Sequence, residues 1–205
     1  MPFYRDQVVP RLLHVALGLE IVAPLRERVC SGLAGDVVEI GFGSGSNVPF
    51  YPAEVSYVAA VEPADVGWRL AAKRISRATV PVRRAGLDGQ RLPFDDDTFD
   101  AALSTWTLCS IPDPAAALLE LRRVLKPGGA LHFLEHGLAP DEKVRRMQRR
   151  LVPLQKRLFG GCDFSKPILE LISGAGFELS EADVFYQPHA PKVEGAQSLG
   201  VAVSR

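Results

Sequence analysis

The chain is short of everything that would place it in a specialised class. Its 24 Lys and Arg cancel its 24 Asp and Glu, so no net charge is available for electrostatic capture of nucleic acid. Cysteines number three, Cys30, Cys109 and Cys162, an odd set with no CxxC pair. That excludes a complete disulfide framework and points to a reducing, cytoplasmic compartment. No metal-ligand spacing links the Cys and His residues, so no metal is expected. No apolar run approaches the roughly 20 residues that cross a bilayer. Arg5, Asp6, Pro10 and Arg11 make the N-terminus unlike a signal peptide. Repeats, low-complexity linkers and a composition break are absent too, so 1–205 is expected to form one domain.

What is present is ordinary in bulk, 47% apolar and 23% charged, and specific in one stretch. Asp36-Val37-Val38-Glu39-Ile40 reads as a short buried parallel strand, being β-branched and apolar. Gly41-Phe42-Gly43-Ser44-Gly45 follows, and a helix is expected after it. Glycines remove Cβ atoms where backbone turns sharply or lies against a ligand. Glu39 is costly at the end of a buried strand unless it is hydrogen-bonded. Three readings of the loop compete. A P-loop would need a lysine that is missing. A dinucleotide fingerprint would need glycine where Ser46 stands. The third is the acid-x-Gly-x-Gly-x-Gly loop that holds S-adenosylmethionine. A purely structural turn is the plain alternative.

Around that loop the chain alternates strands and helices. Residues 1–35 read as a helical lead-in, with Leu13, Ala16 and Leu17 at helical spacing and Pro24 opening a second helix. It is either an end packed on the core or a flap placing Tyr4 over a ligand. Val55–Val61 is the second strand, ending on Glu62-Pro63. Glu62 lies near the ~20-residue spacing at which an acid meets ribose hydroxyls; the alternative is a solvated strand-end acid. Trp68, Ala71, Ala72 and Ile75 mark the covering helix. Val80-Pro81-Val82-Arg83 is an edge strand. Leu87 and Asp88 follow it in a turn, where Asp88 could accept from an adenine amino group.

The fourth strand, from Phe99 through Ser104, delivers Thr105, Trp106 and Cys109 to its carboxyl end, where ligands bind in open α/β sheets. Cys109 is either a small buried apolar residue or a neighbour of substrate. Asp113-Pro114 starts a helix with Leu118, Leu121 and Leu125 as its buried stripe, and Lys126-Pro127-Gly128-Gly129 stops it. The fifth strand, Ala130–Leu134, ends on Glu135-His136; His136 is a candidate base or a wall residue. Residues 137–164 hold a basic amphipathic helix with Val144, Met147, Leu151, Leu154 and Leu158. It is read as a solvated lid, with a weak membrane-surface contact as the alternative. Ser165 is expected to cap a helix containing Ile168, Leu171, Ile172 and Ala175. Phe177–Phe185 and Leu199–Ser204 are the last strands.

This order predicts an α/β fold, a doubly wound and mostly parallel sheet. At this point the sequence resembles the class I S-adenosylmethionine-dependent methyltransferases. The resemblance rests on Val38 to Gly45, Val61-Glu62-Pro63, Asp88 to Phe94, Phe99-Asp100 and Arg122 to Gly129. More narrowly it is similar to the methyltransferase-like protein 7 group, the thiol methyltransferases and their bacterial relatives, through Thr107-Leu108-Cys109-Ser110, Phe133-Leu134-Glu135-His136 and Gly161-Cys162-Asp163. It differs in lacking the membrane-anchoring segment of the animal members and aromatic residues before Gly200. The resemblance implies a Rossmann-like, seven-stranded sheet with an antiparallel last strand. It implies S-adenosylmethionine as cofactor, held by Glu39, Gly41, Gly43, Gly45, Glu62 and Asp88. Tyr4, Pro63, Leu87 and Thr105 are expected to add to that site, and Trp106, Cys109 and His136 to line the acceptor pocket. The expected activity is methyl transfer to a small, fairly apolar acceptor such as a thiol. A phospholipid or quinone acceptor at a membrane surface, a non-catalytic cofactor-binding module and a nicotinamide-dependent reductase are the rivals; Ser46 speaks against the last.

Overall fold

The computed structural model of the chain describes residues 8, 10, 11, 14, 20–158, 160–188 and 190–205. Tyr4 and the lead-in periodicity at Leu13, Ala16 and Leu17 lie outside them. Five strands pair in parallel: β1 (Gly35–Ile40), β2 (Val55–Val61), β3 (Val82–Gly86), β4 (Phe99–Thr105) and β5 (Leu125–His136). Two more, β6 (Phe177–Tyr186) and β7 (Ala196–Ser204), run antiparallel, with β7 paired to both β5 and β6. The resulting seven-stranded sheet has the order β3-β2-β1-β4-β5-β7-β6. The chain therefore winds outward from β1 to β3 and then back across through β4. The crevice between β1 and β4 is the switch point where such sheets receive ligands.

Alternation along the strands builds two cores. Val38, Ile40, Ala102, Leu131 and Phe133 pack on one face, against Leu118 and Leu121 of α3 (Pro114–Val124) and Ile168 and Ile172 of α5 (Ile168–Gly174). Val37, Val58, Leu103 and Leu134 pack on the other, against Val29 of α1 (Ala23–Cys30) and Ala71 of α2 (Asp65–Ile75). Successive strand residues face opposite sides, so a strand covered on both must be apolar throughout. Each leucine so enclosed contributes about 1.5–3 kcal/mol. Asp113 caps α3 as its sequence predicts, accepting from the Ala116 N–H at 3.0 Å. Buried His132 donates from Nδ1 to the Val29 carbonyl at 2.9 Å, tying α1 to β5.

The structure corrects several expectations. No α-helix follows the glycine loop; turns lead into a short 3-10 helix, Val48–Phe50, because Pro49 in its first turn and Pro52 beyond it leave no room for a longer one. Of the expected covering residues of α2, Trp68, Ala71 and Ile75 pack on the core, whereas Ala72 is exposed and Val66 and Gly67 are buried in addition. Leu125 opens β5 rather than closing α3. Ser165 caps nothing: the Asp163 carboxylate accepts from its N–H and its hydroxyl, and α5 begins only after Pro167. The basic helix, α4 (Glu142–Leu158), buries Gln148, while Met147, Leu151 and Leu154 are 54%, 38% and 56% exposed. Gln148 accepts from the Ala139 N–H and donates to the carbonyls of Gly137, Phe164 and Val193, so a polar anchor docks this helix. A short α6 (Lys192–Gly195) precedes β7.

Candidate functional site

The glycine loop lies at the carboxyl end of β1. Gly41, Gly43 and Gly45 have φ of 67°, 58° and 70°, in the left-handed region where a Cβ is strained. At Gly41 a Cβ would also overlap the Thr107 side chain. At Gly43 it would meet nothing closer than a carbonyl oxygen at 3.8 Å, so the loop surface there is open. Glu62, at the end of β2, closes one side. Its Oε2 accepts from the Gly43 N–H at 2.7 Å and its Oε1 from the Ala64 N–H at 2.6 Å. Burial pushes its pKa up, against the pull of the Ala64 and Gly43 N–H groups and the Arg84 charge. The acid and the loop, joined in the sequence only by a spacing, are thus in direct contact.

Glu39 has a different position. It is 1% exposed, and its oxygens accept from the Asn47 amide and the Tyr51 hydroxyl. Burial raises its pKa to about 7, opposed by those two bonds and by the Arg26 charge. Asn47 also donates to the Thr105 hydroxyl at 2.9 Å and accepts from Arg26 at 2.6 Å. Thr105 is therefore bound into the same buried network. The Arg26 guanidinium lies 4.7 Å over the Trp106 ring. This network braces the loop from beneath; Asn47, Tyr51 and Arg26 were missed because none belongs to a motif.

Leu87, 61% exposed, and Asp88 follow β3, and a Cβ at the next residue, Gly89, would lie 3.6 Å from Ile40 at the end of β1. The Asp88 carboxylate accepts from the Gln90 backbone at 2.9 Å, which orders the turn. Pro63 is exposed next to Glu62. These groups fit S-adenosylmethionine. The bare Gly43 backbone leaves space for a ligand. A carboxylate has about four acceptor positions and Glu62 uses two on the backbone. Leu87 offers an apolar face of the kind an adenine ring covers.

Trp106, Cys109 and His136 gather at the other side of the crevice. Trp106 has a φ of 50°, strained for a tryptophan. Its N–H donates to the Leu134 carbonyl at 2.7 Å and its indole to Gln197 at 2.9 Å. The Gln197 side-chain amide nitrogen, buried, finds no acceptor among the described residues. The loop after β4 is clamped by Glu135, fully buried. That carboxylate collects the Ser104 hydroxyl at 2.7 Å and the N–H groups of Thr107, Leu108 and Cys109 at 3.0, 3.0 and 3.2 Å. Burial raises its pKa while those donors lower it.

Cys109, 0% exposed, is no mere apolar filler. Its sulfur lies 3.6 Å from that of Cys162 and 3.9 Å from His136 Nδ1, and Cys162 lies 3.8 Å from the same nitrogen. The two sulfurs hydrogen-bond to each other. The three donor atoms lie within 4.8 Å of one another, a grouping of the kind that can hold a metal ion. No local spacing could reveal it, since the three residues come from three separate segments. The Asp163 N–H donates to the Cys109 carbonyl at 2.8 Å, which fixes the segment bearing Cys162.

Grooves of about 310 and 400 Å³ occur beside Arg122 and Gly176, at the opposite end of the strands and away from these groups.

Comparison with known proteins agrees with this fold. A family model described as a methyltransferase domain matches residues 38–133. Thiol S-methyltransferase TMT1B of Rattus norvegicus is 32% identical over 156 residues, covering 74% of this chain and 63% of that protein. A demethylmenaquinone methyltransferase of Clavibacter sepedonicus is 31% identical, covering 58% of this chain and 49% of that one. The chain spans less than two thirds of the length of these curated relatives. Among solved structures, a methyltransferase of Thermotoga maritima superposes with a TM-score of 0.70 at 25% identity, covering 99% of this chain and 98% of that one.

Proposed function

The chain belongs to the class I S-adenosylmethionine-dependent methyltransferases, and from that premise we propose that it methylates a small, rather apolar acceptor, with a thiol as the preferred class. The Gly43 N–H bonded to the Glu62 carboxylate carries the reading, because bare backbone and a carboxylate with acceptor positions to spare then stand side by side at the carboxyl ends of β1 and β2. Similarity to thiol S-methyltransferases favours the acceptor class.

When bound, S-adenosylmethionine supplies an electrophilic sulfonium methyl. Glu62 would accept from its ribose hydroxyls, Gly41, Gly43 and Gly45 would give the close backbone, and Leu87 and Asp88 would meet its base. Pro63 would flank the ribose. Tyr4 is proposed as a flap residue. Glu39 and Thr105 act through Asn47, holding the loop in shape. The acceptor enters beside Trp106, Cys109 and His136. Alignment and exclusion of water supply most of the rate for such a transfer. A thiol, with a pKa near 8.5, gives enough thiolate at neutral pH to need no strong base. A hydroxyl acceptor would need one, and His136 is the group placed for it.

Titration calorimetry with S-adenosylhomocysteine tests the cofactor site: absence of binding at millimolar ligand ends the proposal. Release of S-adenosylhomocysteine with a panel of thiols, phenols and amines tests the acceptor. No turnover with any of them, in a protein that binds the cofactor, favours the non-catalytic module.

A second reading is favoured by α4. Met147, Leu151 and Leu154 are exposed on a helix carrying seven basic residues against one acid. Such a helix suits an anionic membrane surface and a quinone or phospholipid acceptor. Sedimentation with anionic vesicles at low and raised salt discriminates. No helix among the described residues is long and apolar enough to cross a membrane.

A further inference from the structure

We propose that Cys109, Cys162 and His136 form a binding site for one zinc ion, these three being the donors that meet there among the described His, Cys, Asp and Glu residues. Around zinc, with Zn–S of about 2.3 Å and Zn–N of about 2.05 Å, tetrahedral angles separate two sulfurs by about 3.8 Å and a sulfur from a nitrogen by about 3.6 Å. The observed separations are 3.6 Å between the sulfurs and 3.9 and 3.8 Å from each sulfur to Nδ1. All three edges of the triangle are within about 0.3 Å of the coordinated values.

The three donors form a set that selects a soft or borderline cation. Two thiolates and a neutral imidazole favour zinc over magnesium or calcium, which take oxygen ligands. Charge supports the same choice. Binding releases up to two thiol protons, and two thiolates then neutralise Zn²⁺, so the loaded site buries no net charge.

The support around the ligands is already built. Glu135 holds the backbone of Cys109 in place. The Asp163 N–H bond to the Cys109 carbonyl sets Cys162 opposite it, and Gly161 allows close approach, since a Cβ there would lie 3.2 Å from the Ser110 carbonyl oxygen. His136 stands at the end of β5 next to that clamp. Structural zinc sites close on four protein ligands, so a site of three described donors leaves the fourth to water, substrate or another group. In the loaded protein His136 is a ligand through Nδ1, not a general base. The site stands on its own geometry, whether or not the acceptor is a thiol.

The competing use of the two sulfurs is a disulfide, which would draw them from 3.6 Å to about 2 Å and leave the imidazole idle. The full chain, purified under reducing conditions, is equilibrated with Zn²⁺, dialysed and measured by plasma mass spectrometry. About one zinc per chain is expected. Cys162→Ser and His136→Ala should each weaken retention by about tenfold or more, while Cys30→Ser, at the buried cysteine outside the cluster, should not. Cobalt loading of the unaltered chain provides a readout that needs no variant: thiolate-to-cobalt charge-transfer absorption with tetrahedral visible bands is expected. Sub-stoichiometric zinc, no thiolate-to-cobalt band, or retention unchanged by Cys162→Ser would each overturn the proposal. So would a Cys109–Cys162 disulfide in the reduced preparation. Calorimetry with S-adenosylhomocysteine reads the cofactor site separately, so failure of one leaves the other intact.

Discussion

Glu62→Ala probes the proposed cofactor site most directly. The carboxylate is 6% exposed and holds the N–H groups of Gly43 and Ala64 at 2.7 and 2.6 Å. About two of its four acceptor positions remain for a ligand. Hydrogen bonds to a charged group contribute about 1.5–3 kcal/mol, so alanine should weaken S-adenosylhomocysteine binding by about 10- to 150-fold. The fold should survive, because the two N–H bonds it accepts are only part-buried, so water can take the place of the carboxylate. Glutamine is the poorer probe: its single carbonyl could serve one of the two N–H groups, and its NH2 would confront the other. Asp65→Asn is the control. Asp65 pairs with Arg84 at 2.7 Å but is 73% exposed, and its loss should change affinity by less than about twofold. Titration calorimetry on variants with intact near-ultraviolet circular dichroism measures both. A folded Glu62→Ala protein that binds as tightly as the parent would refute the ribose assignment and the role given to the loop contact.

Other perturbations separate bracing from binding. Gly41→Ala should cost about 2–4 kcal/mol in urea denaturation, since a Cβ is strained at φ 67° and overlaps Thr107; a loss below about 0.5 kcal/mol would show that the turn relaxes freely. Glu135→Ala should cost about 3–5 kcal/mol by the same measure, because three backbone N–H groups lose their acceptor inside the protein. Glu39 should make stability depend on pH. Its folded pKa of about 7 lies above the ordinary 4.5, so its favourable contribution is full below 4.5 and is lost as pH rises through 7. The span is about 3 kcal/mol at most, and Glu39→Gln should flatten that slope in denaturation curves taken between pH 5 and 8. The double substitution Met147→Ser with Leu154→Ser should alter stability by under about 1 kcal/mol, both side chains being more than half exposed. It should abolish sedimentation with anionic vesicles if α4 meets a membrane; unchanged sedimentation would dismiss that surface.

What the sequence disclosed and what it hid divide along a physical line. Strands β1, β2 and β4 were legible because parallel strands covered on both faces must be apolar in succession, as Val37-Val38 and Ala101-Ala102-Leu103 are. The coupling of Glu62 to the glycine loop was legible because one strand and one turn fix that distance in every doubly wound sheet. Family likeness carried a further point that the geometry reinterprets. Phe99-Asp100 and Arg122 to Gly129 mark the family as clearly as the loop does, yet they lie at the opposite, amino end of the strands. There Asp100 accepts from the Asp36 N–H at 2.9 Å and from Lys126 at 2.6 Å. Arg123 donates to the carbonyls of Leu92 and Phe94 at 3.1 and 2.8 Å. Their work is to tie strand starts together, so a residue pattern that identifies the fold need not lie near the chemistry. The reverse holds at the acceptor end. Cys109, His136 and Cys162 stand 27, 26 and 53 residues apart in pairs and obey no local spacing. Only the return of the chain after α4, pinned by Gln148 and by the Asp163 N–H, brings the third residue to the other two. A constellation assembled by tertiary contacts leaves no periodic trace, whereas a cradle made by one loop and the next strand must leave one.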